Sequence, residues 1–268
     1  MAYKTDGSSH RNGIKNEKQQ IKHLQEGAAH NVVLGLSEDF QVIAKGGTKF
    51  KEDFQIVDGD TVIKVSAKRK KKMSTGSYDY VNSSSVMSEI PALKKMKTFC
   101  QSLRKKSNTK AGKNKRSVRK KFNDESNRAL RSLKPNHISK ILINHVTKKN
   151  EDMQMMISDA TTKTNYWYEF KKSQMYKDVS KLLNKGHDYK PELVFGRGKT
   201  SAKIILKNSK GDEIDHNLRI RLVLNNGVGA LIGLSKSNSN SAPVIKIQQD
   251  RCDKMMARLQ KQNIVTIF

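Results

Sequence analysis

The chain has 268 residues with 53 Lys and Arg against 25 Asp and Glu, a formal net charge of +28. That length suits one large domain, or one domain with a smaller appended lobe, and apolar runs spread along most of it argue against wholesale disorder. So large a cationic excess points to a polyanionic partner, because each neutralised phosphate releases a condensed counterion. No window approaches 18 consecutive apolar residues, and the start Met1-Ala2-Tyr3-Lys4-Thr5-Asp6 lacks the apolar stretch of a secretory signal. A cytoplasmic, non-secreted protein with no membrane partner is therefore expected. Cys100 and Cys252 are the only cysteines, too few for a disulfide framework or a four-cysteine zinc site.

Taken in chain order, Ile14, Ile21, Leu24 and Ala28 recur at helical spacing and predict a helix over 13–28. Strand-like runs follow at Asn31–Leu34, Gln41–Ala44, Phe50–Val57 and Thr61–Ala67. The block Lys68-Arg69-Lys70-Lys71-Lys72 comes next. Ile90, Leu93, Met96, Phe99, Cys100 and Leu103 then mark an amphipathic helix with Pro91 near its start. From Arg104 to Lys121 the chain carries ten basic residues and no acidic one, read as a basic loop or arm over 104–121. Helices are expected over 124–148 and over 174–185, the latter stopped by Gly186. The last part, about 190–268, reads as β-rich: Ala202–Leu206, Leu218–Leu224, Gly229–Leu234 and Val244–Gln248, joined by Ser-Lys-Gly-Asp, Asn-Asn-Gly and Ser-Asn turn chemistry. A closing helix over Asp250–Gln260 and an apolar tail, Ile264–Phe268, complete a mixed α/β chain taken as a single domain over 1–268.

The segment from Lys51 to Lys68 is the most informative. Two β-prone runs flank Asp58-Gly59, a strong hairpin signal. With those two residues as the loop, Val57 faces Asp60 and paired positions sum to 117. One face then holds Phe54, Ile56, Ile63, Val65 and Ala67, a core face. The other holds Asp53, Gln55, Lys64, Ser66 and Lys68, with Asp53 opposite Lys64 and diagonal to Ser66. A carboxylate there suits Mg²⁺, which binds through one or two carboxylates plus water and substrate phosphate. A neighbouring lysine suits activation of water or stabilisation of a phosphorane.

Asp53, twelve intervening residues, then Ser66-Ala67-Lys68 resembles the PD-(D/E)XK nuclease signature of restriction endonucleases and their relatives. The lead-in Gly46-Gly47-Thr48-Lys49-Phe50-Lys51-Glu52-Asp53, the early helix carrying Asn16-Glu17, and the segment Gly76–Ser84 are similar to parts of some members. The motif covers about residues 12–72. Ser66 departs from the family, standing where Asp or Glu is usual, and this unsettles the metal count. Glu52 lies on the core face, so Glu17, which interrupts the inward stripe of its helix, is the better second carboxylate.

The resemblance implies a restriction-endonuclease-like core, a central mixed sheet flanked by helices. It further implies a Mg²⁺-dependent deoxyribonuclease cutting double-stranded DNA, with Mn²⁺ as a substitute metal. Asp53 and Glu17 would hold the metal, Lys68 would assist the water or the transition state, and Ser66 would support them. Many members act as two-fold homodimers, one active site per strand; the sequence alone leaves that undecided. DNA contacts are expected from Lys64, Arg69, Lys70, Lys71 and the 104–121 run. Arg219 and Arg221, sharing one face of a strand, are further candidates. Tyr166, Trp167 and Tyr168 are read as core rather than as a stacking platform. Two other readings are carried: a non-enzymatic basic nucleic-acid-binding protein, and a structure-selective nuclease or junction resolvase.

Overall fold

The computed structural model describes residues 8–26, 34–45, 52–70, 78–82, 85–106, 114–148, 153–159, 162, 164–184, 186–196, 200–234, 241–249 and 265–267. The elements in chain order are α1 (Ser8–Glu26), β1 (Gln41–Ala44), β2 (Phe54–Asp58), β3 (Thr61–Lys70), β4 (Tyr78–Asn82), α2 (Ser85–Glu89), α3 (Pro91–Lys105), α4 (Lys115–Arg131) and α5 (Pro135–Leu142). They continue with β5 (Met153–Asp159), β6 (Asn165–Glu169), α6 (Gln174–Lys181), β7 (Lys190–Phe195), β8 (Ala202–Lys207), β9 (Glu213–Leu224), α7 (Gly227–Leu231), β10 (Pro243–Gln249) and β11 (Val265–Ile267). The mixed α/β class is as expected. No described helix is long and apolar enough to cross a membrane.

The 268 residues expected as one domain gather their contacts in two compact units, each assembled from separated stretches of chain. Unit 1 comprises 1–76, 149–177 and 251–268; unit 2 comprises 77–148 and 178–250.

Unit 1 is a six-stranded sheet in the order β1-β2-β3-β5-β6-β11. All its pairings are antiparallel except β3 with β5, where Lys64 pairs with Met153 and Lys70 with Asp159. A parallel pair needs a long crossover, and here the whole 78–148 stretch separates the two strands. The alternation of β2 and β3 drives Phe54, Ile56, Val65 and Ala67 into one core with Leu24, Met156 and Trp167. Phe54, Ile56 and Val65 are wholly buried there. Helix α1 lies against β1 and β3 and caps this core with Leu24, while Ile21 packs at its margin.

Unit 2 is an antiparallel sheet in the order β4-β10-β9-β8-β7. One face buries Ala202, Ile204, Leu218, Ile220, Leu222, Ile245 and Ile247. Helices α3 and α4 pack on each other and contribute Leu93, Met96, Cys100 and Leu103 from one, Val118, Phe122 and Leu130 from the other. Burial pushes the Cys100 thiol up to about 12, so it is a small inert hydrophobe rather than a nucleophile.

Several expectations need correction. Residues 115–121 of the expected basic loop are the first turns of α4, begun by Asn114, whose side chain accepts from the backbone N–H of Arg116 and Ser117 at 3.1 and 3.0 Å. The density of basic residues hid the inward pair Val118 and Phe122; residues 107–113 lie outside the described residues. The long helix over 124–148 is broken: α4 stops at Arg131, Pro135 occupies the first turn of α5, and 143–148 continue as π-helix. Gly229–Leu234 is not a strand; α7 runs through Gly227–Leu231, since a short apolar run does not distinguish the two.

Strands β4, β5, β6 and β7 were not read from the sequence. Met153-Gln154-Met155-Met156 is not β-branched, and Pro191 argues against a strand except at a sheet edge, where β7 lies. In the 190–268 part, β7 to β10 belong to the unit 2 sheet, whereas β11 in the tail pairs with β6 of unit 1. Asn31 to Val33, Phe50, Lys51 and the closing helix 250–260 lie outside the described residues.

Candidate active site

The hairpin β2–β3 forms with its faces as expected but its register moved by two residues. Phe54 pairs with Val65 and Asp58 with Thr61, so the loop is Gly59-Asp60 and not Asp58-Gly59. Gly59 has φ +55° at the first loop position, as a type II′ turn requires. Asp58 is drawn into the strand by Ser37, whose N–H donates to Oδ2 at 3.0 Å and whose hydroxyl donates to Oδ1. These two bonds hold the exposed Asp58 carboxyl below its ordinary range.

A slip of two preserves the faces, because side chains alternate with period two, but it changes the partners. Asp53 no longer stands opposite Lys64, which pairs with Gln55. Its N–H donates instead to the Val65 carbonyl at 2.9 Å, bringing its side chain beside Ser66 and Lys68. Asp53 Oδ2 accepts from the Ala67 N–H at 2.6 Å and the Ser66 hydroxyl at 3.1 Å. Lys68 Nζ lies 3.6 Å from the same oxygen, donates to Ser66 Oγ at 2.7 Å and to the Ala67 carbonyl at 3.0 Å. Three donors thus converge on one carboxylate oxygen. Asp53 Oδ1 makes no hydrogen bond with a described residue.

The Asp53 and Lys68 side chains are 23% and 35% exposed, so their ion pair contributes at most about 1 kcal/mol to stability.

Helix α1 reaches the same strand with different residues from those expected. Asn16 and Gln20 are buried, four apart and in line with Leu24, whereas Ile14 is exposed and Glu17 only half-buried. The inward row is turned so that two amides, rather than an isoleucine and a carboxylate, meet the sheet. Gln20 Nε2 donates to the Lys68 carbonyl at 3.1 Å, the Met156 carbonyl at 3.2 Å and Ser158 Oγ at 2.7 Å, and the Ser158 hydroxyl donates in turn to Asn165 Oδ1 at 2.7 Å. Asn16 Nδ2 reaches the Lys68 carbonyl at 3.5 Å. The backbone of Lys68 is therefore fixed from the helix side. Gln20→Ala is expected to lower the unfolding free energy by about 1–3 kcal/mol, because buried acceptors lose their donor; urea denaturation of the two proteins measures it. Sequence reasoning noted Asn16 only as the neighbour of Glu17 and passed over Gln20, because neither amide is apolar or charged.

Of the expected DNA contacts, Lys64 lies on the same hairpin face, two residues nearer the turn. Arg69 and Lys70 continue β3 opposite Ser158 and Asp159, and Lys71 lies outside the described residues. Arg219 and Arg221 share one half-exposed face of the unit 2 sheet, Arg219 between Lys203 and Gln248, and Arg221 beside Lys246. Arg221 Nε is buried with no hydrogen-bond partner among the described residues. Trp167 and Tyr168 are buried in unit 1.

Among the described residues, no three His, Cys, Asp or Glu side chains form a ready-made metal cage. Comparison with protein-family models, with curated proteins and with solved structures found no match.

Proposed function

We propose that the chain is a divalent-metal-dependent endonuclease that hydrolyses phosphodiester bonds of double-stranded DNA, of the restriction type. The observation that carries this reading is the convergence of Asp53, Ser66 and Lys68 at the open end of one hairpin, on a strand whose backbone α1 clamps. The net charge of +28 supplies the attraction for the substrate.

The residues fit a weakly caged Mg²⁺. Asp53 Oδ1 and Ser66 Oγ are hard oxygen donors, Glu17, half-buried beside the inward row of α1 rather than in it, is the proposed second carboxylate, and water and phosphate oxygens complete a shell of the kind Mg²⁺ prefers. When bound, the metal supplies Lewis-acid neutralisation of the phosphate, and Mn²⁺ fits the same donors. Lys68 holds the attacking water or steadies the charge growing on the phosphorane oxygens. Ser66, donating to Asp53 and accepting from Lys68, fixes the distance between carboxylate and ammonium. A new P–O bond from water forms and the water's proton passes to solvent, as the bond to the leaving deoxyribose oxygen breaks and that oxygen takes up a proton from solvent. The enzyme would act in the cytoplasm, and a two-fold homodimer would place one such site at each strand.

The test is a digest of a large defined duplex with the purified protein, with Mg²⁺ and with EDTA. Discrete fragments that need Mg²⁺ are the expected result. A smear retains the nuclease and removes sequence specificity. Cutting confined to four-way junctions favours the resolvase. Intact DNA that is retarded on a gel, with Mn²⁺ as well, overturns the enzyme in favour of a basic nucleic-acid-binding protein, the reading that the charge alone supports.

A further inference from the structure

Unit 2 carries a second feature that the hairpin chemistry does not use. A groove of about 460 Å³ runs along α4, lined by Arg116, Arg119, Lys120 and Arg131, with Gly196 and Thr200 from beyond β7 on its other side. Arg116, Lys120 and Arg131 fall within about 60° of one another around the helix, on the side away from the buried Val118 and Ala129, with Arg119 at the edge of that face. The four cations meet one carboxylate, Asp124, and none makes an ion pair with a described residue. By contrast Arg128, outside the groove, is neutralised by Glu125 at 3.0 Å. Arg131 is held in place by stacking, its guanidinium 4.2 Å from the centre of the Phe195 ring. Asn127, also in the lining, has a buried Oδ1 without a hydrogen-bond partner among the described residues.

Unbalanced cations cost self-repulsion unless an anion meets them. The spacing says what kind of anion. At 1.5 Å rise per residue, Arg116 and Arg131 are roughly 22 Å apart along the helix axis, too far for one small anion to bridge. A nucleic-acid strand presents a phosphate every 3.4 Å or so along its axis and spans that length with several. No aromatic ring is among the described lining residues, and the neighbouring Phe195 is covered by Arg131, so the described groove presents no platform on which unpaired bases would stack.

We propose that this groove seats the phosphate backbone of duplex DNA, as a binding site carried by unit 2 and built from elements other than the catalytic hairpin. The choice of DNA among duplex polyanions rests on the nuclease reading; the groove does not require that the hairpin cuts. The contacts are to phosphate and set position rather than sequence.

The experiment measures binding of a labelled duplex of about 25 base pairs to the full chain in EDTA, by anisotropy, across a salt series. Variant R116A/R119A/R131A is compared with K94A/K95A/K210A, which removes the same charge from exposed positions outside the groove. Loss of three phosphate contacts predicts a salt slope shallower by about 2.7 and, at about 0.1 M salt, affinity weaker on the order of a hundredfold. The control variant should stay within a few-fold of the parent. R116A/R119A, which keeps the Arg131 stack, should lower the slope by about 1.8 and guards against misfolding of the triple variant. Equal losses in groove and control variants would mean that only net charge matters, and would overturn the proposal. So would an unchanged DNA affinity accompanied by lost binding to anionic vesicles or duplex RNA. If no condition yields cutting while the groove variants alone lose DNA binding, the nuclease reading fails and this one stands.

Discussion

Asp53→Asn is expected to lower Mg²⁺-dependent cutting of duplex DNA by about a thousandfold or more, equivalent to about 4 kcal/mol of barrier, while leaving DNA affinity in EDTA within a few-fold of the parent. The substitution preserves shape but removes the charge on which three donors converge, from Ser66, Ala67 and Lys68. It also leaves Lys68 without its counter-ion, so the ammonium is no longer held 3.6 Å from the carboxylate. Lys68→Met should cost about 10²–10⁴-fold through the loss of proton handling and charge stabilisation. Both variants should melt close to the parent, because the pair is a quarter to a third exposed and contributes little to folding. Initial rates on a supercoiled plasmid, read beside duplex binding and thermal melting, separate the three effects. If both variants cut at the parental rate, the hairpin is not the active site.

The two faces of this hairpin were legible because alternation survives any even slip; the partners were not. Asp58-Gly59 is the strongest local turn signal, and it placed the loop one position early, which shifts the pairing by two. What decided otherwise is tertiary: Ser37, 21 residues away, binds both oxygens of Asp58 and keeps it in the strand. The correction shortens the distance between the proposed catalytic groups, since Asp53 moves from Lys64 to Ser66 and Lys68.

A different limit applies to α1. Apolar periodicity chose Ile14 and cast Glu17 as the inward acid, whereas the helix meets the sheet with Asn16 and Gln20 because open backbone carbonyls of Lys68 and Met156 wait there. Hydrogen-bond demand of a partner strand leaves no trace in the periodicity of the helix that satisfies it. Nor was the separation of β3 from β5 readable, because the parallel partner of a strand is fixed by chain return rather than by local residues. In unit 2 the charge run obscured the helix it belongs to; Val118 and Phe122, four apart, were the available signal.

The core beneath the hairpin leads to the largest expected effect on stability. Phe54→Ala should lower the unfolding free energy by about 3–5 kcal/mol, a large share of what a domain of ordinary stability has. Phe54 is 0% exposed, sits one residue from Asp53 and packs among Ile56, Val65 and Trp167. Its removal leaves a cavity walled by buried side chains, Ile56, Val65, Met156 and Trp167, that are anchored on four strands of one sheet and cannot collapse freely. Phe54→Leu, which refills most of that space, should cost clearly less, and the difference between the two measures the cavity itself. Guanidinium denaturation with a shared slope gives both values from the shift in midpoint. Because β2 and β3 are registered by this core, the alanine variant should also cut more slowly below its melting temperature, whereas the leucine variant should retain most activity. An alanine variant as stable as the leucine one would show that the strand pair is held chiefly by its hydrogen bonds, and would remove the argument that the core positions Asp53 against Lys68.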